Sequence, residues 1–233
     1  MTLRKIAERL THEPILIGLF LLASASVWAF AEVADEVLEG DSHEIDERIV
    51  LAMRNPADPA DPLGPRWFEE LMRDFTALGG VGVVALLGAA AATFLAVLDK
   101  RREAVWLVIA LVGGIALSLG LKTLFDRPRP DLVPHGSHVY TRSFPSGHSM
   151  MAATVYLTLG AVMAELVALR RLKAFFLVLA VLITALVGVS RVYLGVHWPT
   201  DVLAGWALGA GWALACWFVA RFLHLSPLEP PRD

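Results

Sequence analysis

Residues 100–130, KRREAVWLVIALVGGIALSLGLKTLFDRPRP, begin with Lys100, Arg101 and Arg102, run through the predominantly apolar stretch Ala104 to Lys122, and end in a second cationic cluster. The apolar stretch is close to the roughly 20 residues that an α-helix needs to cross the hydrocarbon of a bilayer. Composition agrees with this reading across the whole chain. Of 233 residues 56% are hydrophobic and 18% charged, and mean hydropathy is +0.59, too apolar for a soluble domain of this length. Net charge is -3, so no basic excess points to nucleic acid.

Working outward, five further stretches have the same character: Ile15 to Phe30, Leu78 to Leu98, Met150 to Leu169, Leu172 to Val189 and Val202 to Phe222. Backbone polar groups find no partners in lipid outside regular structure, so these are expected to be helices. The fold class expected is all-α, a polytopic membrane helix bundle with about six transmembrane helices. One membrane-embedded domain spans residues 1–233, with an extracytoplasmic loop over 35–77 and a region of chemical motifs over 122–201. Within that loop, His43 to Met53 and Pro65 to Ala77 mix apolar and charged residues at helical spacing, as short interfacial helices do, with Trp67 at headgroup depth. The proline- and aspartate-rich segment Asn55 to Pro65 between them is expected to be irregular. Ala29-Phe30-Ala31 imitates a signal-peptidase site, and the first span is expected to stay uncleaved. The single cysteine, Cys216, excludes an intramolecular disulfide and reads as helix packing. Gly205 and Gly209 form a small-xxx-small pair whose contact is either within the chain or between subunits.

Basic residues orient the spans. Arg4, Lys5 and Arg9, then Lys100 to Arg102, then Arg170, Arg171 and Lys173, then Arg221 all fall on one side, which is expected to be cytoplasmic. Lys122, Arg127, Arg129, Arg142 and Arg191 lie on the other side and break the rule. That breach marks three clusters. Lys122 and Arg129-Pro130 stand where the third span reaches the outer surface. Pro145-Ser146-Gly147-His148 precede the fourth, where Ser146 caps the helix and its first-turn N–H groups form an anion site. Ser190-Arg191 and His197-Trp198-Pro199-Thr200-Asp201 join the last two spans. Pro199 suits the first helical turn, so the Asp201 carboxylate can reach back to His197 and hold its Nδ1–H, leaving Nε2 free to attack. A nucleophile, an orienting acid, a second histidine, three cations and a helix N-terminus are what phosphoryl transfer requires.

With these residues in place, the chain resembles the type 2 phosphatidic acid phosphatases, whose signature is Lys-x6-Arg-Pro, Pro-Ser-Gly-His and Ser-Arg-x5-His-x3-Asp. All three parts occur between Lys122 and Asp201 without departure. The resemblance implies that His197 is the nucleophile, His148 the general acid and Asp201 the orienter. It also implies that Lys122, Arg129, Ser146, Gly147 and Arg191 bind phosphate. Three fixed cations and a helix N-terminus supply the charge stabilisation, so no metal and no cofactor are expected. The expected partners are membrane lipids and a lipid phosphate, of the phosphatidic acid, phosphatidylglycerophosphate or polyprenyl diphosphate class. The expected location is a bacterial inner membrane, with the site facing the extracytoplasmic side. A soluble phosphate ester is the alternative substrate. Vanadate-dependent haloperoxidases share the residue pattern but are soluble, and a non-enzymatic transporter or interaction protein would leave the catalytic set without purpose. Arg127, Arg142 and Asp131 read as solvated loop residues, and His135 with His138 as an improbable metal pair lacking the usual ligand spacing.

Overall fold

The structure is a computed structural model that describes residues 14–137 and 141–223. Among the described residues eight helices and one short hairpin follow in order: α1 (Pro14–Glu39), α2 (His43–Ala52), β1 (Arg54–Asn55), β2 (Asp58–Pro62), α3 (Arg66–Ala77), α4 (Val81–Val97), α5 (Arg101–Leu121), α6 (Gly147–Leu166), α7 (Arg170–Tyr193) and α8 (Pro199–Phe222). Five of them, α1 and α5 to α8, are long and apolar enough to cross a membrane. Helices α3 and α4, which meet at 52°, pass the same test only as a pair, so the candidate spans number five, or six with that bent pair counted as one. The break falls at Gly79-Gly80, where a side chain on Gly79 would come within 2.6 Å of Val187 and 2.9 Å of the His148 carbonyl. Only a residue without Cβ lets α7 and the start of α6 approach so closely. This is an integral membrane helix bundle, and its exposed Phe20, Leu21, Val105, Val112, Phe175 and Val178 are lipid-facing rather than misplaced.

Helix α6 is the axis of the bundle. Its apolar window is 56% buried, against 11% for α1, because it packs on both α7 and α8 while α1 lies outside on α8. Small residues permit this. A Cβ on Gly205 would fall 2.7 Å from the Ser146 carbonyl, and one on Gly209 2.4 Å from the Met150 carbonyl. The glycine pair of α8 thus makes its contact within the chain, against α6. On the α4–α5 side, Val84, Leu95, Leu107, Leu111, Met151 and Val155 form an apolar cluster. Cys216 is buried on α8, in helix packing.

Two expectations need correction. The first span does not end near Phe30 but continues to Glu39, so the residues expected to open the outer loop are helical. They pack inward, with Ala34 against Phe144 and Ala204. The segment Asn55 to Pro65 is not wholly irregular, since Arg54 pairs with Pro62 and Asn55 with Asp58. The Asn55 side chain accepts from the Ala57 N–H, a local turn that brings the strands together. The prolines lie on an exposed edge, where a missing N–H costs little. The basic cluster Arg4, Lys5 and Arg9 and the residue His138 lie outside the described residues.

Candidate active site

Because successive spans alternate in direction, the C-terminal ends of α5 and α7 and the N-terminal ends of α6 and α8 share one face, and there the three sequence clusters meet. Lys122 follows the last residue of α5. Its Nζ donates to Thr141 Oγ1 and to the Arg142 carbonyl, both at 3.1 Å. Arg129 is held by the same loop, through Nε to the Thr141 carbonyl at 2.8 Å. A Cβ on Gly147 would sit 3.2 Å from Lys122 Cε, so the lysine lies against the first residue of α6. Ser146 caps that helix by accepting from the Ser149 N–H. Its own N–H donates to the Asp201 carbonyl at 2.9 Å, tying the starts of α6 and α8 together.

His197 precedes α8 in a tight connection that turns at Gly195, whose φ of +67° and whose contact with Val133 exclude a side chain. His197 is 1% exposed and Asp201 0% exposed. Nδ1 of His197 lies 3.2 Å from Asp201 Oδ2, an oxygen that also accepts from the Trp198 N–H at 2.9 Å and from the Ser143 hydroxyl. On the other side of the ring, Arg129 Nη1 approaches Nε2 at 3.1 Å and donates to the Val196 carbonyl. A guanidinium only donates, so Nε2 is the acceptor and the ring proton sits on Nδ1, facing the carboxylate. His148 stands in the first turn of α6, its Nε2 toward the Gly79-Gly80 break. Arg191, 2% exposed, donates from Nη1 to Thr76 on α3 at 2.9 Å. Its Nε is buried with no hydrogen-bond partner among the described residues. A buried donor left without a protein partner costs about 1–3 kcal/mol and is the kind of group a ligand oxygen satisfies.

The electrostatics are those of an anion site. Burial, then Arg191, Arg129, Lys122 and His148 in turn, push the His197 imidazole well below the ordinary histidine range, so it is neutral at pH 7. Burial, and then Arg129, lower the Lys122 ammonium to about 8, with Asp201 opposing. Burial also lowers Arg129. Burial is the leading cause of all three, and for His197 and Lys122 the neighbouring cations add to it, a positive charge that a phosphate would relieve. Among the described residues no group of three or more His, Cys, Asp or Glu could hold a metal ion. His135 is occupied otherwise, its Nε2 lying 2.7 Å from the Pro130 carbonyl.

The structure brings together Lys122, Arg129, Ser146, Gly147, His148, Arg191, His197 and Asp201. It also supplies residues that sequence reasoning left out. Arg127 is not a solvated loop residue. Its side chain is 12% exposed and bridges Asp201 Oδ1 and Asp46 Oδ2, both at 2.7 Å. Its place among the basic residues that break the charge pattern of the connecting segments was the available signal. Ser143, Thr76 and Asp46 carried none, because each acts through a partner far away in sequence. Arg142 and Asp131 are exposed as expected, Arg142 pairing with Asp126.

Residues 103–224 match the PAP2 superfamily. Phosphatidylglycerophosphatase B of Bacillus subtilis is 33% identical over 205 residues, covering 85% of this chain and 90% of that one. An undecaprenyl-diphosphatase of Sulfolobus acidocaldarius is 34% identical over 115 residues, 47% of this chain and 52% of its own length. The crystal structure of a PAP2-type transmembrane phosphatidylglycerolphosphate phosphatase from Bacillus subtilis superposes with a TM-score of 0.72 at 27% identity, covering 93% of this chain and 98% of that one.

Proposed function

The chain belongs to the PAP2 superfamily, and from that premise we propose that it is a membrane phosphatase that hydrolyses lipid phosphate monoesters or diphosphates through a phosphohistidine at His197. The observation that carries this is the His197 ring, fixed by Asp201 on Nδ1 and facing Arg129 with Nε2, at the mouth of a lipid-embedded bundle. In the free site Arg129 engages the lone pair that attacks. An arriving phosphate takes over that guanidinium, and Nε2 is released toward phosphorus. The N–P bond forms as the bond to the leaving oxygen breaks, and His148 gives that oxygen its proton. Lys122, Arg129, Arg191 and the first-turn N–H groups of α6 hold the non-bridging oxygens and match their charge once phosphate is bound. Water then attacks the phosphohistidine, with His148 taking its proton, which restores the starting state. No step calls for a metal.

Relatives named for phosphatidylglycerophosphate and for undecaprenyl diphosphate support a lipid substrate, as does a reaction centre at the ends of spans rather than on a soluble domain. The charge pattern of the connecting segments supports an extracytoplasmic site in a bacterial inner membrane. A soluble phosphate ester remains the second reading. Phosphate release from phosphatidic acid, phosphatidylglycerophosphate, a polyprenyl diphosphate and a water-soluble monoester, measured in detergent with wild type and His197→Ala, separates the two. The lipid esters are expected to have kcat/KM well above the soluble one, with His197→Ala inactive and acid-labile phosphate trapped only on wild type. Equal kcat/KM for soluble and lipid esters overturns the lipid assignment, and an active His197→Ala overturns the mechanism.

A further inference from the structure

Two buried carboxylates share one guanidinium behind the nucleophile. Arg127 Nη1 donates to Asp201 Oδ1 at 2.7 Å and to Thr200 Oγ1 at 2.8 Å, while Nη2 donates to Asp46 Oδ2 at 2.7 Å. Asp46 belongs to α2, outside the spans, and is 0% exposed. Its Oδ1 accepts the Thr200 N–H at 3.0 Å, one of the unsatisfied donors in the first turn of α8, and its Oδ2 takes the Thr200 hydroxyl. The guanidinium also lies 5.7 Å from the centre of the Trp198 ring. Both oxygens of each carboxylate, the Thr200 hydroxyl and both terminal nitrogens of Arg127 are engaged, and the chain of contacts ends on the carboxylate that holds His197.

We propose that Arg127 and Asp46 are a positioning pair for Asp201, Arg127 fixing the carboxylate with Oδ2 on His197 and Asp46 cancelling the charge that Arg127 brings with it. The inference rests on His197 being the nucleophile. Buried ion pairs give little net stability, because desolvation offsets the attraction, so the contribution lies in the chemistry. With His197 neutral, Asp46, Arg127 and Asp201 together carry one negative charge. When attack makes the ring cationic, ring and triad sum to zero. Without Asp46 the triad would be neutral before attack, and Arg127 would offset what Asp201 offers the ring. The other charges facing His197 are Arg191, Arg129, Lys122 and His148. None is negative, so the carboxylates behind the ring are its only counterweight among the described residues. A lysine at 127 would keep the charge but not the fork that spans two carboxylates.

The test compares full-length wild type, Asp46→Asn, Arg127→Lys, Arg127→Met and the Asp46→Asn/Arg127→Met double variant in detergent. The readouts are KM and the single-turnover rate constant of phosphoenzyme formation, by rapid quench. That rate constant does not depend on the fraction of active protein, so partial misfolding does not imitate the effect. Asp46→Asn keeps an acceptor for the Thr200 N–H. It is expected to slow phosphoenzyme formation by about ten- to a hundredfold, with KM within about twofold, because neither residue contacts phosphate. Arg127→Lys and Arg127→Met are expected to slow it similarly, and Asp46→Asn to add nothing in the Arg127→Met background, since the two act as one unit. A wild-type rate in Asp46→Asn, a wild-type rate in Arg127→Lys, additive losses, or a loss confined to KM each overturn the pair. If Asp46→Asn does not fold, the Arg127→Lys rate decides. His197→Ala run in parallel separates the two levels. If it is inactive while Asp46→Asn is wild type, only the pair falls, and if it is active, the reading of the site falls and takes the pair with it.

Discussion

Replacing Asp201 with Asn isolates what its charge does for His197. In wild type, Oδ2 accepts from His197, Ser143 and Trp198 and Oδ1 accepts from Arg127, so every neighbour is a donor. An asparagine must aim its amide either at Arg127 or at those three donors. In the first orientation the Nδ1 proton of His197 keeps an acceptor but no counter-charge. In the second it loses its acceptor as well, and the tautomer with the proton on Nε2 is favoured, which cannot attack. The separation between Nδ1 and Oδ2 is 3.2 Å, and because the ring shares its charge, about 4 Å is the working distance to the carboxylate. At an effective dielectric of about 20 that interaction is about 4 kcal/mol. Arg127 and Asp46 are unchanged in the variant, so the loss is about 4 kcal/mol, or about 10³-fold in rate. KM is expected to stay within a few-fold, because Asp201 lies behind the ring and not against phosphate. The assay is steady-state phosphate release, with single-turnover quench to confirm that phosphoenzyme formation is the step slowed. A folded Asp201→Asn protein whose kcat lies within tenfold of wild type would refute the account of Asp201 as electrostatic partner of the nucleophile.

Three further outcomes are expected. The Lys122 ammonium, lowered to about 8 by burial and Arg129, is charged below that pH and neutral above it. Thus kcat/KM should decline through an alkaline limb near pH 8, which Lys122→Arg should move upward, and a limb unchanged in Lys122→Arg would assign it to another group. Turnover should survive EDTA and be inhibited by orthovanadate, which copies the five-coordinate phosphoryl centre, whereas loss on chelation with recovery on added magnesium would contradict a metal-free reaction. In a Cys216→Ala background, a cysteine at Ser137 should react with an impermeant thiol reagent on intact spheroplasts and one at Arg102 should not, and the reverse pattern would place the site on the cytoplasmic side.

The helices were legible because what makes them is local. The runs Ala104–Lys122 and Val202–Phe222 are apolar over the length of a bilayer, and any such run in lipid satisfies its backbone internally. The boundary between α3 and α4 was legible too, since the mixed segment Pro65–Ala77 gives way to an apolar run at Leu78. The 52° angle between them and the extension of α1 to Glu39 were not. Both depend on what packs alongside, His148 and Val187 in one case and Phe144 with Ala204 in the other.

Composition and spacing alone establish the class of protein, an order of about six spans and the convergence of Lys122, Arg129, Ser146, His148, Arg191, His197 and Asp201 on one face. Spacing along a helix and the parity of spans fix those without knowledge of any tertiary contact. Even the His197–Asp201 pair is an i, i+4 relation across one helix start. What stands behind that pair depends on how distant segments pack. Asp46 and Arg127 lie on separate connecting segments, and a lone aspartate beside Ile45, Ile49 and Val50 looks like any solvated residue of an amphipathic helix. It becomes a buried partner because α2 folds over the start of α8, where a guanidinium and an unsatisfied N–H wait for a carboxylate. Burial of a charge is a property of what covers it, and that is not written in the residues on either side.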